Sequence, residues 1–166
     1  DGYTHSESLT LFIQDVLNQA QLALADLSAV SVSAGPGSYT GLRIGLSTAK
    51  GLCFALNIPL IAIDTLTALK NVIPSGEMPV IPMLDARRME VYAQVFDTDG
   101  QTLQEIDAIV LTEDSFSDFE PFIVLGDGAA KCKEMWGHRN ITWNENVLSS
   151  AKGQATIAYE KFQKKE

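Results

Sequence analysis

An α/β fold is what this sequence predicts, and three observations carry the prediction. Short apolar runs alternate with segments of helical periodicity in the first half; strand-like segments succeed one another around an Asp-Gly turn in the middle; the strand–helix alternation then resumes. With 166 residues, 46% apolar and 20% charged, the composition is that of an ordinary globular protein, with one core or two small lobes to bury.

Taken in order, Ser6 is placed to cap a helix whose apolar residues Leu9, Phe12, Ile13, Val16, Leu17 and Ala20 recur at three- and four-residue spacing. Leu11 lies off that stripe and widens it, either as a second contact surface or as one exposed leucine. Ala29 to Ala34 is a short strand that runs into the glycine-rich turn Gly35 to Arg43. From about Thr40 to Leu56 the chain is apolar on nearly every side, which predicts a helix buried on several faces. Beyond Pro59, Leu60 to Ile63 is typical of a strand covered on both sides, and Thr65 is expected to cap a helix through Val72. Helix, strand, helix, strand, helix implies a parallel sheet with crossover helices.

The character changes after the loop Pro74-Ser75-Gly76-Glu77, so two lobes are expected, 1–74 and 75–166. Val80 to Leu84, Val91 to Phe96 and Thr102 to Val110 form an antiparallel meander, with Asp97-Thr98-Asp99-Gly100 as the hairpin signal. Thr112-Glu113 is expected to start a short helix, Phe122 to Leu125 is another strand, and Gly126-Asp127-Gly128 breaks it before a helix through Met135. Ser149 or Ser150 is expected to cap a last helix from Ala151 to about Phe162, ending in Lys161, Lys164 and Lys165, where the helix dipole favours cations.

Charge and cysteine content narrow the function. Twelve Lys plus Arg against 21 Asp plus Glu give a formal charge of −9, which opposes tight nucleic-acid binding by the isolated chain, because that affinity rests on cations that replace counterions. Cys53 and Cys132 form no CxxC pair and point to reduced thiols. With no membrane-length apolar run and no signal peptide, a cytoplasmic location is expected. His5 and His138 have no metal-ligand spacing, so no metal site is predicted.

Three segments carry possible binding chemistry. Gly35, Gly37 and Gly41 leave backbone N–H groups open near a helix start, so Gly35, Gly37 and Ser38 are candidates for a phosphate; a sharp turn that needs positive φ is the alternative. Gly126, Asp127 and Gly128 offer the same choice between nucleotide contact and turn. Asp85-Ala86-Arg87-Arg88 places two guanidinium groups on a bend, as a solvated salt-bridged bend or as a basic spot for a partner.

In order and spacing, His5-Ser6-Glu7, Gly35 to Gly45 (GPGSYTGLRIG), Ala62 to Leu66, Leu84 to Tyr92 (LDARRMEVY) and Gly126-Asp127-Gly128 resemble the TsaB family, also called YeaZ. The resemblance implies an actin-like, Hsp70-like ATPase (ribonuclease H-like) fold of two related lobes with mixed sheets. It also implies an accessory, non-catalytic role in making N6-threonylcarbamoyladenosine (t6A) in tRNA, beside a TsaD-like catalytic subunit and a TsaE-like ATPase, with tRNA met only indirectly. Dimer contact through the early helices is implied too, as a homodimer in isolation. The partner-binding candidates are therefore Leu9, Leu11, Phe12 and Val16 on the first helix, with Leu46 and Lys50 on the second. Where TsaD has an HxxxH metal motif, the matching positions here are Thr65 and Leu69, so no metal-dependent catalysis and no peptidase chemistry is expected. Family members begin with strands that carry a phosphate loop, and this chain starts at the first helix, so those strands are expected to be missing. No cofactor is then required, and ATP or ADP is the nucleotide that the glycine segments would take if they bind one.

Overall fold

The structure is a computed structural model and describes residues 5–144 and 146–165, with side chains from Ser8 onward. The expected Ser6 cap and the His5-Ser6-Glu7 side chains lie outside the described residues. Two compact units emerge: the described residues of Asp1–Ile63 and Thr156–Glu166, and those of Asp64–Ala155. Set beside the lobes expected at 1–74 and 75–166, this places the short helix after Ile63 with the second unit and most of the last helix with the first.

In the first unit, helix α1 (His5–Ala20) is closed by Gln21, which takes positive φ as the Leu22 N–H reaches the Leu17 carbonyl at 3.0 Å. A single 3-10 turn over Leu24–Asp26 follows, its Asp26 carboxylate accepting from the Ala23 N–H at 2.8 Å. Strand β1 (Val30–Ser33), helix α2 (Tyr39–Leu56) and strand β2 (Leu60–Ile63) form the expected crossover, with β1 and β2 parallel and Val30 opposite Leu60. Helix α2 ends on Asn57 in the left-handed region, where the Ile58 N–H donates back to the Cys53 carbonyl at 3.1 Å.

Two expectations fail here. Helix α2 is not buried on several faces: Ala49 and Cys53 are its buried residues, while Phe54 is 91% exposed. Strand β2 is not covered on both sides either, because Ala62 between buried Ile61 and Ile63 faces solvent. Apolar composition measures the capacity for burial; the number of neighbours the fold supplies decides how much of it is used.

The second unit begins with helix α3 (Thr65–Lys70), preceded by Asp64 rather than capped by Thr65 and ending two residues before Val72. Its sheet contains β3 (Val80–Asp85), β4 (Glu90–Phe96), β5 (Thr102–Val110), β6 (Phe122–Leu125) and β7 (Ile141–Asn144) in the order β5-β4-β3-β6-β7. Strands β3, β4 and β5 are the antiparallel meander, whereas β6 joins β3 in parallel and β7 joins β6 in parallel. The sheet is therefore mixed.

Alternation on β3, β4 and β6 sends Ile81, Met83, Val91, Ala93, Val95, Phe122 and Val124 into one core cluster, with Trp136 and Cys132. Leu69 of α3 joins Val80 and Leu125 in a separate cluster. The helix after Gly128 is a 3-10 turn (Ala129–Cys132) continued by α4 (Lys133–Trp136). The short helix expected at Thr112 is a 3-10 turn over Ser117–Phe119. A further 3-10 turn (Ala151–Gln154), capped by the Ser150 hydroxyl, leads into α5 (Ala155–Lys164), which carries Lys161 and Lys164 in its last turn. Both cysteines are buried free thiols. Among the described residues, no helix is long and apolar enough to cross a membrane.

Candidate functional site

Helix α1 divides its apolar residues between two faces. Leu9, Ile13 and Leu17, four residues apart, are half-buried. Ile13 and Leu17 line a depression of about 340 Å³ together with Leu22, Leu24 and Leu52 of the same unit. Phe12 and Val16, also four apart, point away and are 62% and 63% exposed, with Leu11 beside them at 50%. On α2, Leu46, Lys50 and Phe54 are exposed. Of the residues expected to bind a partner, Leu11, Phe12, Val16, Leu46 and Lys50 are exposed, and Leu9 is partly covered. Sequence reasoning missed Phe54 because it assigned that residue to a buried face; its four-residue step from Lys50, and that of Lys50 from Leu46, is the signal that one helical face carries all three.

The glycine-rich turn is built for a backbone reversal. Gly35 has φ +109°, Ser38 is the N-cap of α2, and its hydroxyl accepts from the Gly41 N–H at 3.3 Å. Gly35, Gly37 and Ser38 belong to the first unit, and Gly126, Asp127 and Gly128 to the second. Gly126 has φ +96°, and a side chain there would run into the Met83 carbonyl; a Cβ on Gly128 would lie 3.0 Å from backbone carbons of Met83 and Leu84. These two glycines let the chain pass against β3 at close range. The Asp127 carboxylate accepts from the Asp85 N–H at 3.0 Å.

That last bond belongs to a cluster at the end of β3. Asp85 Oδ1 accepts from the Arg87 N–H at 2.5 Å and from Lys131 Nζ at 2.6 Å, and the same ammonium donates to the Glu90 carbonyl at 2.9 Å. The Lys131 hydrogen bond, then that of the Arg87 N–H, hold the Asp85 carboxyl below its ordinary pKa of 3.8. The hairpin loop closes with the Ala86 N–H on the Glu90 carbonyl at 3.1 Å, and both Arg87 (φ 75°) and Arg88 (φ 47°) occupy the left-handed region. The bend is salt-bridged through Asp85; the two arginines are exposed. Lys131 escaped the sequence reading because it lies 46 residues from Asp85 and only the β3–β6 pairing brings them together.

The family model TsaD, tRNA N6-adenosine threonylcarbamoyltransferase, matches residues 3–163. The tRNA threonylcarbamoyladenosine biosynthesis protein TsaB of Bacillus subtilis is 35% identical over 102 residues, 61% of this chain and 44% of that protein. Its Escherichia coli counterpart is 31% identical over 114 residues, 66% of this chain and 49% of that protein. The chain belongs to the TsaD family, as a TsaB (YeaZ) member. The solved structure of YeaZ from Pseudomonas aeruginosa superposes with a TM-score of 0.78 at 25% identity, and the match covers 99% of this TsaB-family chain and 80% of that one. The mixed α/β architecture is thus the family's own. The chain spans about half the length of the TsaB proteins it matches.

Proposed function

We propose that this TsaB-family chain serves t6A biosynthesis as a non-catalytic subunit and docks a TsaD-type catalytic protein through the uncovered apolar face of α1 and α2. One observation carries the reading: Phe12 and Val16, one turn apart on α1, leave most of their surface in water, as does Phe54, and Leu11 leaves half of its own there. Burying such side chains contributes about 1.5–3 kcal/mol each, which gives a partner helix ample reason to cover them. The same face serves self-association when the partner is absent, so the isolated chain is a homodimer that exchanges into the complex. A TsaE-type ATPase completes the assembly, tRNA is met through the catalytic protein, no cofactor is required of this chain, and the cytoplasm is its place of work.

Mixing the purified chain with its TsaD-type partner under light scattering tests the reading. A defined complex at micromolar concentration is expected, with Phe12→Asp weakening it at least tenfold. Turnover of tRNA, peptide or nucleotide by the chain alone, abolished by changing one of its own side chains, would overturn the non-catalytic role.

A further inference from the structure

We infer that Arg87 and Arg88 form a second docking point, which receives a pair of carboxylates presented by the catalytic protein; the inference rests on the docking role proposed above. Among the described residues neither guanidinium has a hydrogen-bond or ion-pair partner, although the chain carries 21 acidic residues and three of them, Asp85, Glu90 and Asp127, lie in or around the same hairpin. Those local acids have other uses: Asp85 accepts from the Arg87 N–H and Lys131, and Asp127 accepts from the Asp85 N–H.

The backbone does not call for arginine here. Consecutive left-handed residues favour Gly, Asn or Asp, and side chains with a Cβ sit there at a cost of order 1 kcal/mol each. Two arginines held in that conformation are not explained by the turn itself. Meanwhile the loop is anchored from three directions, by the Asp85 carboxylate, by Lys131 on the Glu90 carbonyl, and by the Ala86–Glu90 backbone bond. Anchoring of this kind lowers the entropy lost when the planar forks engage, and a guanidinium matches a carboxylate with two parallel hydrogen bonds.

Charge selects the class of partner. An extended polyanion such as RNA would run from this loop into the field of a chain with net charge −9. A discrete pair of carboxylates on a protein surface meets the guanidiniums at contact distance, while the chain's remaining acids are screened beyond about 8 Å at physiological salt. The loop therefore fits a local acidic spot on a protein.

Calorimetry of the full chain with the TsaD-type protein, at two salt concentrations, tests the assignment. Arg87→Asn/Arg88→Gly places residues suited to positive φ at both positions, so folding is preserved or improved; about a tenfold loss of affinity and a flatter salt dependence are expected. Arg87→Lys/Arg88→Lys keeps the charge and loses the forks, and most of the loss should persist. Affinity within twofold of wild type in the first double variant overturns the inference, as does full recovery in the second. Loss of tRNA binding with partner affinity intact would assign the loop to RNA and overturn it too. If Phe12→Asp weakens the complex and the arginine variants do not, this inference falls alone; if the wild-type chain binds no partner, the docking reading falls with it.

Discussion

Gly126 and Asp85 show how single residues set the end of β3. At Gly126, φ of +96° and the nearby Met83 carbonyl exclude a side chain on two independent grounds, and the added Cβ would also lie 2.7 Å from Leu69 Cδ2. Gly126→Ala should destabilise the protein by about 2–4 kcal/mol, the sum of backbone strain and overpacking. Gly128→Ala meets only the packing conflict, since its φ of −73° suits any residue, and should cost about 1–3 kcal/mol. Urea titration ranks the two, and equal midpoints would contradict this account. Asp85 gives a pH signature. Its pKa is lowered by Lys131 and the Arg87 N–H, so its contribution is complete above the ordinary value of 3.8 and is lost as pH falls through the lowered one. Amide exchange in the hairpin should therefore quicken selectively below about pH 3.8, and Asp85→Asn should show the quick exchange already at neutral pH. A hairpin whose protection ignores acid would dismiss the Asp85 anchor.

Among elements, the short α4 depends on tertiary contacts, because four residues cannot sustain a helix alone. Trp136 is fully buried, donates its Nε1–H to the Thr112 carbonyl at 2.8 Å, and meets Phe116 and Phe122 edge-on at centroid distances of 6.1 and 6.4 Å. Arg139 lies over the Trp136 ring, pairs with Glu120, and donates to the carbonyls of Glu113 and Ser115 at 3.0 and 2.9 Å. Trp136→Ala should cost about 3–5 kcal/mol. Arg139→Lys, which loses the planar fork and the stacking, should cost about 1–3 kcal/mol by thermal melting, and a melting temperature unchanged from wild type would refute the role given to the fork. The hydrogen bonds of Arg139 were not legible in the sequence, since they join residues 19 to 26 positions apart through loops without periodicity. The strands were legible wherever alternation or an apolar run marked them: β5 and β6 fall on the predicted residues, and β3 and β4 differ by one residue. Strand β7 escaped notice because its four residues, Ile141–Asn144, combine one aliphatic side chain with Thr, Trp and Asn and show no clear period. The left-handed hairpin at Arg87 and Arg88 was hidden for a related reason, as no Gly or Asn announces it.

At the scale of the whole molecule, charge decides how a TsaB-family chain can relate to RNA. Binding a phosphate backbone gains free energy by releasing condensed counterions, one for about each phosphate that a protein cation neutralises. Here 12 cations face 21 acids, and several of the cations are engaged internally: Lys131 by Asp85, Arg139 by Glu120, and Arg43 by Tyr39. The remaining cations are outnumbered by the acids, and the net charge of −9 raises the work of bringing a polyanion close. The isolated chain should therefore bind tRNA no tighter than about 10⁻⁴ M at physiological salt, the weak end of nonspecific binding. Fluorescence anisotropy with labelled tRNA measures this directly, and a titration across salt concentrations separates the possible sources of any binding found. Affinity that falls steeply with salt, with a slope of several phosphates, would reveal a cationic surface on this chain that the net charge conceals. It would also move RNA contact from the proposed catalytic partner to this chain.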